Sequence, residues 1–217
     1  MEKTIQELTI DKNIILVGNS VEILQHNYGE YIDGFDTVVR FGNGVPTSEN
    51  YDAIGKRTDI FVTGFLRYDK RKFYPKDCLT LFNRSRIHLD RKPDHYPDFE
   101  VTEMFSDSEL IEIFDLVGAK NGVVDGARPS AGFVAIQYFL RKCNFSSLTL
   151  IGFDFFQKSL SITAGQHNPY SWHIPLNTME FSPHSNLEKG IVERMWRKGV
   201  IQWKILSDLE KGHLDLS

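Results

Sequence analysis

The chain reads as an α/β protein: a single-domain, doubly wound, mainly parallel sheet between layers of helices, a Rossmann-like α/β/α sandwich. Three observations predict it. Short apolar runs rich in β-branched residues alternate with amphipathic helical patterns, which implies right-handed crossovers between parallel strands. Two of the runs, "NIILVG" (Asn13 to Gly18) and "LTLIGF" (Leu148 to Phe153), are apolar throughout, as strands covered on both faces must be. The length, 217 residues with 41% hydrophobic and 25% charged, suits one substantial core and is short for two domains. One domain over 1–217 is therefore expected.

The elements follow in order. The first strand ends in Gly18, Asn19 and Ser20, after which the chain re-enters a helix-like pattern. "DTVVRF" (Asp36 to Phe41), "TDIFVTG" (Thr58 to Gly64) and "CLTLFN" (Cys78 to Asn83) supply the second to fourth strands. A helix is predicted over Ser106 to Gly118, opened by Ser and acidic residues and closed by Gly. In Ser130 to Cys143, Phe133, Ile136, Gln137 and Leu140 fall on neighbouring turns, with Arg141 and Lys142 where the helix dipole favours cations. Leu148 to Phe153 is the fifth strand, Asn186 to Gly199 a third amphipathic helix, and "VIQWKIL" (Val200 to Leu206) the last strand. The polar stretch Leu160 to Ser185 exceeds an ordinary connection, and residues 157–185 are expected to form an active-site loop or lid.

Composition excludes several classes. A net charge of −4 offers no clustered basic surface for a phosphate backbone, so no nucleic-acid partner is expected. The opening residues MEKTIQELTIDKN lack a signal-type apolar core, and nowhere do about 18 apolar residues run together. Cys78 and Cys143 are too few for a disulfide framework and lack metal-ligand spacing, which fits a reducing compartment.

Ligands of doubly wound sheets bind beyond the carboxyl ends of the strands, so the residues just after the apolar runs are the candidates. At "VGNS" neither GxxxxGK[ST] nor GxGxxG is present. The Asn19 amide both donates and accepts, which suits a ribose hydroxyl or a single phosphate; a Gly-Asn turn after a strand is equally ordinary loop chemistry. At "FDTVVRFGNG", Arg40 to Gly44 form a second candidate tip, with a surface arginine and a flexible turn as the plain reading. In "RPSAGFVAIQYFL" Ser130 stands at an N-cap, and free amides there attract an anion, although a capped core helix explains the segment as well.

Taken together, "ILVGNS" (residues 15–20), "YIDGFDTVVRFGNG" (31–44), "AIGKRTDIFV" (53–62) and "RPSAGFVAIQYFL" (128–140) followed by "LTLIGFDFF" (148–156) resemble the large and small sialylmotifs of the animal-type sialyltransferase family. The matches keep the family's order and span residues 13 to 190. The resemblance implies a variant GT-A glycosyltransferase fold with a donor site for a CMP-activated acidic sugar. Asn19 and Asn43 would contact the nucleotide or its phosphate, in a donor set that also holds Gly18, Ser20 and Arg40. Ser130, Ala131 and Gly132 would hold phosphate and ribose at the helix N-terminus. Gly42 falls where the family has its Asn, so Asn43 needs one extra residue to align.

Glycosyl transfer needs a base for the acceptor hydroxyl, and an imidazole with a pKa of about 6.5 suits that work. His26, His88, His95 and His213 are read as structural. The other three histidines lie in or at the end of the long loop. "QHNPYSWH" resembles the family's third motif, implying that His167 or His173, with Tyr170, meets the leaving phosphate. "HSNLE" resembles the very small motif, implying His184 as general base with Glu188 orienting it. Three residues separate that pair where the family has four; at i and i+4 they would share a helix face. The implied chemistry is inverting in-line displacement without metal, since there is no Asp-x-Asp motif and protein donors can neutralise a single phosphate. No cofactor is expected, and CMP-sialic acid and CMP-Kdo, both 2-keto acid donors, remain open. The alternative is a non-catalytic CMP-binding module of the same fold. An NAD-dependent oxidoreductase would need the missing glycine fingerprint.

The animal family bonds a cysteine before the large motif to one near the end of the small-motif helix. Here Ile14 stands at the first site and Cys143 close to the second, so no bridge forms, implying a cytoplasmic, bacterial relative. Its acceptor would be a glycan or lipid-linked saccharide. "RMWRKGVIQWKIL" (Arg194 to Leu206) mixes tryptophans with cations: either peripheral inner-membrane contact near such an acceptor, or a helix-to-strand junction with a solvated basic face.

Overall fold

A computed structural model describes residues 4–42, 44–63, 75, 77–82, 102–118, 129–155 and 185–204. The strands are β1 (Asn13–Val17), β2 (Thr37–Phe41), β3 (Ile60–Thr63), β4 (Leu79–Phe82), β5 (Glu103–Met104), β6 (Ser147–Ile151) and β7 (Gln202–Lys204). They form one sheet of order β5-β4-β3-β2-β1-β6-β7, and every pairing is parallel. From β1 the sheet grows outward through β2 to β5, then resumes on the other side of β1 with β6 and β7. The order therefore reverses between β1 and β6, the place where such sheets open a ligand crevice.

β1 shows why both faces must be covered. Successive side chains of a strand point to opposite faces, and all four residues from Ile14 to Val17 are buried. Ile14 and Leu16 join a core with Val39, Ile60, Phe133, Ile136 and Val192. Ile15 and Val17 join the opposite core with Ile23, Ile32, Val38 and Ile54. The first layer is built by α4 (Asp107–Leu116), α5 (Ala131–Lys142) and α6 (Ser185–Arg197). The second uses shorter pieces: a 3-10 helix over Val21–Gln25, α2 (Gly29–Asp33) and α3 (Tyr51–Ile54).

The three long helices match the sequence expectation in position. α4 carries a full capping box, Ser106 accepting from Glu109 N while Glu109 reaches back to Ser106 N. α5 differs in burial: all seven residues from Phe133 to Phe139 are buried, so it is covered on every side rather than along one stripe. Two ion pairs tie its last turn to α4, Arg141 to Glu112 at 2.8 Å and Lys142 to Glu109. The pattern after Ser20 is a 3-10 helix, and the short strand β5 and the N-terminal helix α1 (Ile5–Thr9) were not predicted. α1 has its own capping box, Thr4 with Glu7, a signature legible in "TIQE". Cys78 and Cys143 are both free, and Cys143 is buried in the core that holds Ile14. The expected lid at 157–185 lies outside the described residues, save Ser185, which opens α6.

Candidate functional site

A small cleft, open to solvent, lies at the carboxyl tip of β1 beside the point where the strand order reverses. Val17, Gly18, Asn19 and Ser20 form its floor, and Ile23, Leu24, Gly44 and Ile54 its walls. The glycine is required by close approach. Gly18 N donates to the Ile151 carbonyl at 2.8 Å and Ser20 N to the Gly152 carbonyl at 3.0 Å, and a Cβ on Gly18 would run into the Gly152 carbonyl oxygen. β1 and β6 thus stay in contact past their ends, and the next two side chains project into the cleft.

Asn19 is held in one orientation. Its Nδ2 donates to the Phe41 carbonyl at 3.1 Å, and only the amine side of the amide can face a carbonyl, so Oδ1 is turned the other way. That oxygen is buried and has no hydrogen-bond partner. Ser20 Oγ is in the same condition, because Ser20 caps the 3-10 helix without a side-chain hydrogen bond. Two buried, unpaired oxygens in one cleft are costly unless a ligand completes them. A carboxamide oxygen repels phosphate and accepts from hydroxyl or amino donors, whereas the Ser20 hydroxyl can both donate and accept.

Arg40 is not the surface arginine of the plain reading. It is fully buried, with Nε donating to the Arg57 carbonyl at 2.7 Å and an Nη donating to the Ile54 carbonyl at 2.5 Å. It braces the loop that carries the Ile54 wall and does not line the cleft. Arg57 continues the brace, donating to the carbonyls of Asp33, Phe35 and Asp36 and pairing with Asp59 at 2.9 Å.

At the N-terminus of α5, Ser130 has partners within the protein. Ser130 N donates to Glu188 Oε1 and Ser130 Oγ to Glu188 Oε2, each at 2.7 Å, while Ser130 Oγ accepts from Phe133 N at 3.1 Å. Of the groups expected to face phosphate or ribose, those of Ser130 thus meet a carboxylate of the protein itself. Glu188 is buried, and burial pushes its carboxyl above the ordinary value against the downward pull of the two Ser130 bonds. The expected role of Glu188 was to orient His184; its described partners are both on Ser130. Ala131 and Gly132 keep first-turn amides that the helix itself cannot satisfy, and both residues are partly exposed. A Cβ on Gly132 would come 2.7 Å from the Phe153 ring, so this end of α5 rests directly on the tip of β6.

Two crystal structures of a mammalian sialyltransferase, one in complex with Gal-beta-1-3GalNAc-ortho-nitrophenol, superpose on this chain with a TM-score of 0.59 at 16% sequence identity. The match covers 89% of this chain and 69% of theirs. The chain has the sialyltransferase fold. No protein-family model matches the sequence, and no curated protein does.

Within the sialyltransferase fold the candidate residues sort by place. Gly18, Asn19 and Ser20 line the cleft, Arg40 supports it from behind, and Ser130 with Glu188 clamps α6 to α5. Asn43, His167, Tyr170, His173 and His184 lie outside the described residues. Ile23, Leu24 and Ile54 were missed as cleft walls, since an apolar residue in a short turn carries no sequence mark of facing a ligand. Among the described residues no three His, Cys, Asp or Glu side chains group as metal ligands, and no helix is long and apolar enough to cross a membrane.

Proposed function

We propose that the chain is a glycosyltransferase that moves sialic acid, or the related 2-keto acid Kdo, from its CMP donor to a glycan hydroxyl. The observation that carries this reading is the cleft beside the β1/β6 reversal, where Asn19 Oδ1 and Ser20 Oγ are buried without partners, in a fold shared with a sialyltransferase. The cleft takes the nucleoside, with Asn19 and Ser20 accepting or exchanging hydrogen bonds with ribose or base. The first-turn amides of Ala131 and Gly132, with donors from the segment that carries His167, Tyr170 and His173, take the phosphate. His184 removes the acceptor proton as the hydroxyl attacks the anomeric carbon in line, and the bond to the CMP phosphate breaks with inversion. Protein hydrogen bonds to the departing phosphate make a metal unnecessary. Glu188 positions the start of α6, which directly follows His184 in sequence.

The test is CMP release from CMP-sialic acid and CMP-Kdo, with and without candidate glycans and with a chelator present. Glycan-dependent release from one donor, unchanged by chelator, is the expected result. Release abolished by chelator would overturn the metal-free step. His184→Ala should remove turnover while calorimetric CMP affinity stays; a protein that binds CMP yet releases none from either donor would be a binding module instead. Tighter binding of NAD than of CMP would remove the reading altogether.

A further inference from the structure

We propose that the C-terminal end of α6 docks the molecule on an anionic lipid surface, with the Asn19 cleft facing away from the bilayer. Trp196 is 39% exposed and Val200 47%, and the turn in which Val200 N donates to the Met195 carbonyl at 3.0 Å brings them together. Arg197 and Lys198, both exposed, lie between them, and neither is ion-paired among the described residues. Trp196 stands edge-on to Trp203, ring centroids 6.2 Å apart at 80°, so the indole is propped at the surface. An amphipathic ring beside fixed cations is the pairing that settles at the boundary between headgroups and acyl chains.

Charge selects the partner. Residues 194–201 hold three cations and no acid, while the whole chain carries −4; removing those three positive charges leaves −7 for the rest. A strand of nucleic acid long enough to bind firmly would have to cross that acidic surface. A flat anionic bilayer can meet one corner only, and Arg197 and Lys198 stand exposed at this one. Lys12 is exposed on it, next to the start of β6. Arg141 and Lys142 arrive there too, already matched by Glu112 and Glu109. Acids share this edge: Asp11 and Asp36 precede β1 and β2, Asp59 and Asp77 precede β3 and β4, and Glu103 opens β5; the last three lie toward the end of the sheet opposite β7, away from α6.

Topology sets the orientation. α6 starts beside Ser130, through Glu188, at the carboxyl edge of the sheet, and ends before Gln202, which pairs with Thr149 in parallel β6. Its 13 residues therefore run back to the amino edge, a descent of roughly 20 Å at 1.5 Å per residue. Asn19 and Ser20 lie past the carboxyl end of β1, so a molecule resting on Trp196 and Lys198 opens its cleft toward the aqueous side. This differs from docking that would press the cleft against a lipid-linked acceptor.

The full chain is sedimented with phosphatidylcholine vesicles and with vesicles enriched in phosphatidylglycerol, at low and high salt. Binding to the anionic vesicles alone, released by salt and weakened about tenfold or more by Arg197→Glu with Lys198→Glu, is expected. Trp196→Ala should weaken it as well, and thermal melts of the variants confirm that they fold. CMP affinity measured calorimetrically should be the same on and off the vesicles. No vesicle binding, or binding indifferent to the charge reversal, overturns the proposal. So does charge reversal that instead splits a dimer in light scattering or releases a single-stranded oligonucleotide. Loss of CMP binding on vesicles overturns the orientation.

Discussion

Asn19 shows how one side chain acquires a chemical sense. Free in a turn, a carboxamide offers both a donor and an acceptor; anchored by its amine to the Phe41 carbonyl at 3.1 Å, it offers only Oδ1 to the cleft. Asn19→Ala should weaken CMP binding about tenfold, the worth of one hydrogen bond to a buried group, by isothermal calorimetry. Asn19→Asp should be worse than Ala, because a carboxylate placed against the Phe41 carbonyl must turn away. Glu188 is the residue whose charge state matters to folding. Its carboxyl lies above the ordinary 4.5, burial outweighing the Ser130 bonds, so the folded chain holds that proton more tightly than the unfolded one. Protonation therefore stabilises the fold: the contribution is whole below the unfolded value and is lost as pH rises through the folded value. Glu188→Gln cannot ionise and should gain in urea midpoint relative to wild type as pH rises from about 4 to about 7. Glu188→Ala strips acceptors from Ser130 N and Oγ and should cost about 1–3 kcal/mol at any pH.

Between elements, the decisive contact is β1 against β6 beyond their ends. Gly18→Ala would force its methyl into the Gly152 carbonyl, spreading the strand tips at the ligand edge. We expect a loss of about 1–3 kcal/mol, the range of core overpacking, with CMP binding falling further than stability does. Denaturant midpoints beside calorimetry separate the two effects. Element positions were legible: each predicted strand and long helix overlaps the observed one, with β6 and α6 starting one residue earlier than expected, because apolar period and capping chemistry are local. The missed pieces have different causes. β5 has two residues, too few for any period, and exists through pairing with β4. α5 was read as amphipathic and is buried all round, since its outer face is closed by α4 and α6 from distant sequence.

For the whole molecule, ligand linkage offers a test independent of turnover. A ligand that binds only the folded chain stabilises it by about 2.7 kcal/mol at a hundredfold its Kd, or a rise of about 5–10 °C in Tm for a chain of this size. CMP should produce that shift in a thermal scan, NAD none, and the Asn19→Ala chain should need about tenfold more CMP for the same shift.

What the sequence determined by itself is the set of elements and the places worth inspecting. Two strands apolar on both faces demanded a covered parallel sheet, and a parallel sheet puts its ligands past the strand tips, at "VGNS" and its counterparts. Which groups there are available to a ligand was decided by tertiary structure alone. Arg40 turns inward to backbone carbonyls, and Ser130 is taken by Glu188 from 58 residues away. Asn19 is polarised by a carbonyl 22 residues on. A hydrogen-bonding group has a fixed number of donors and acceptors, and how many remain open depends on partners that only the folded chain brings within reach.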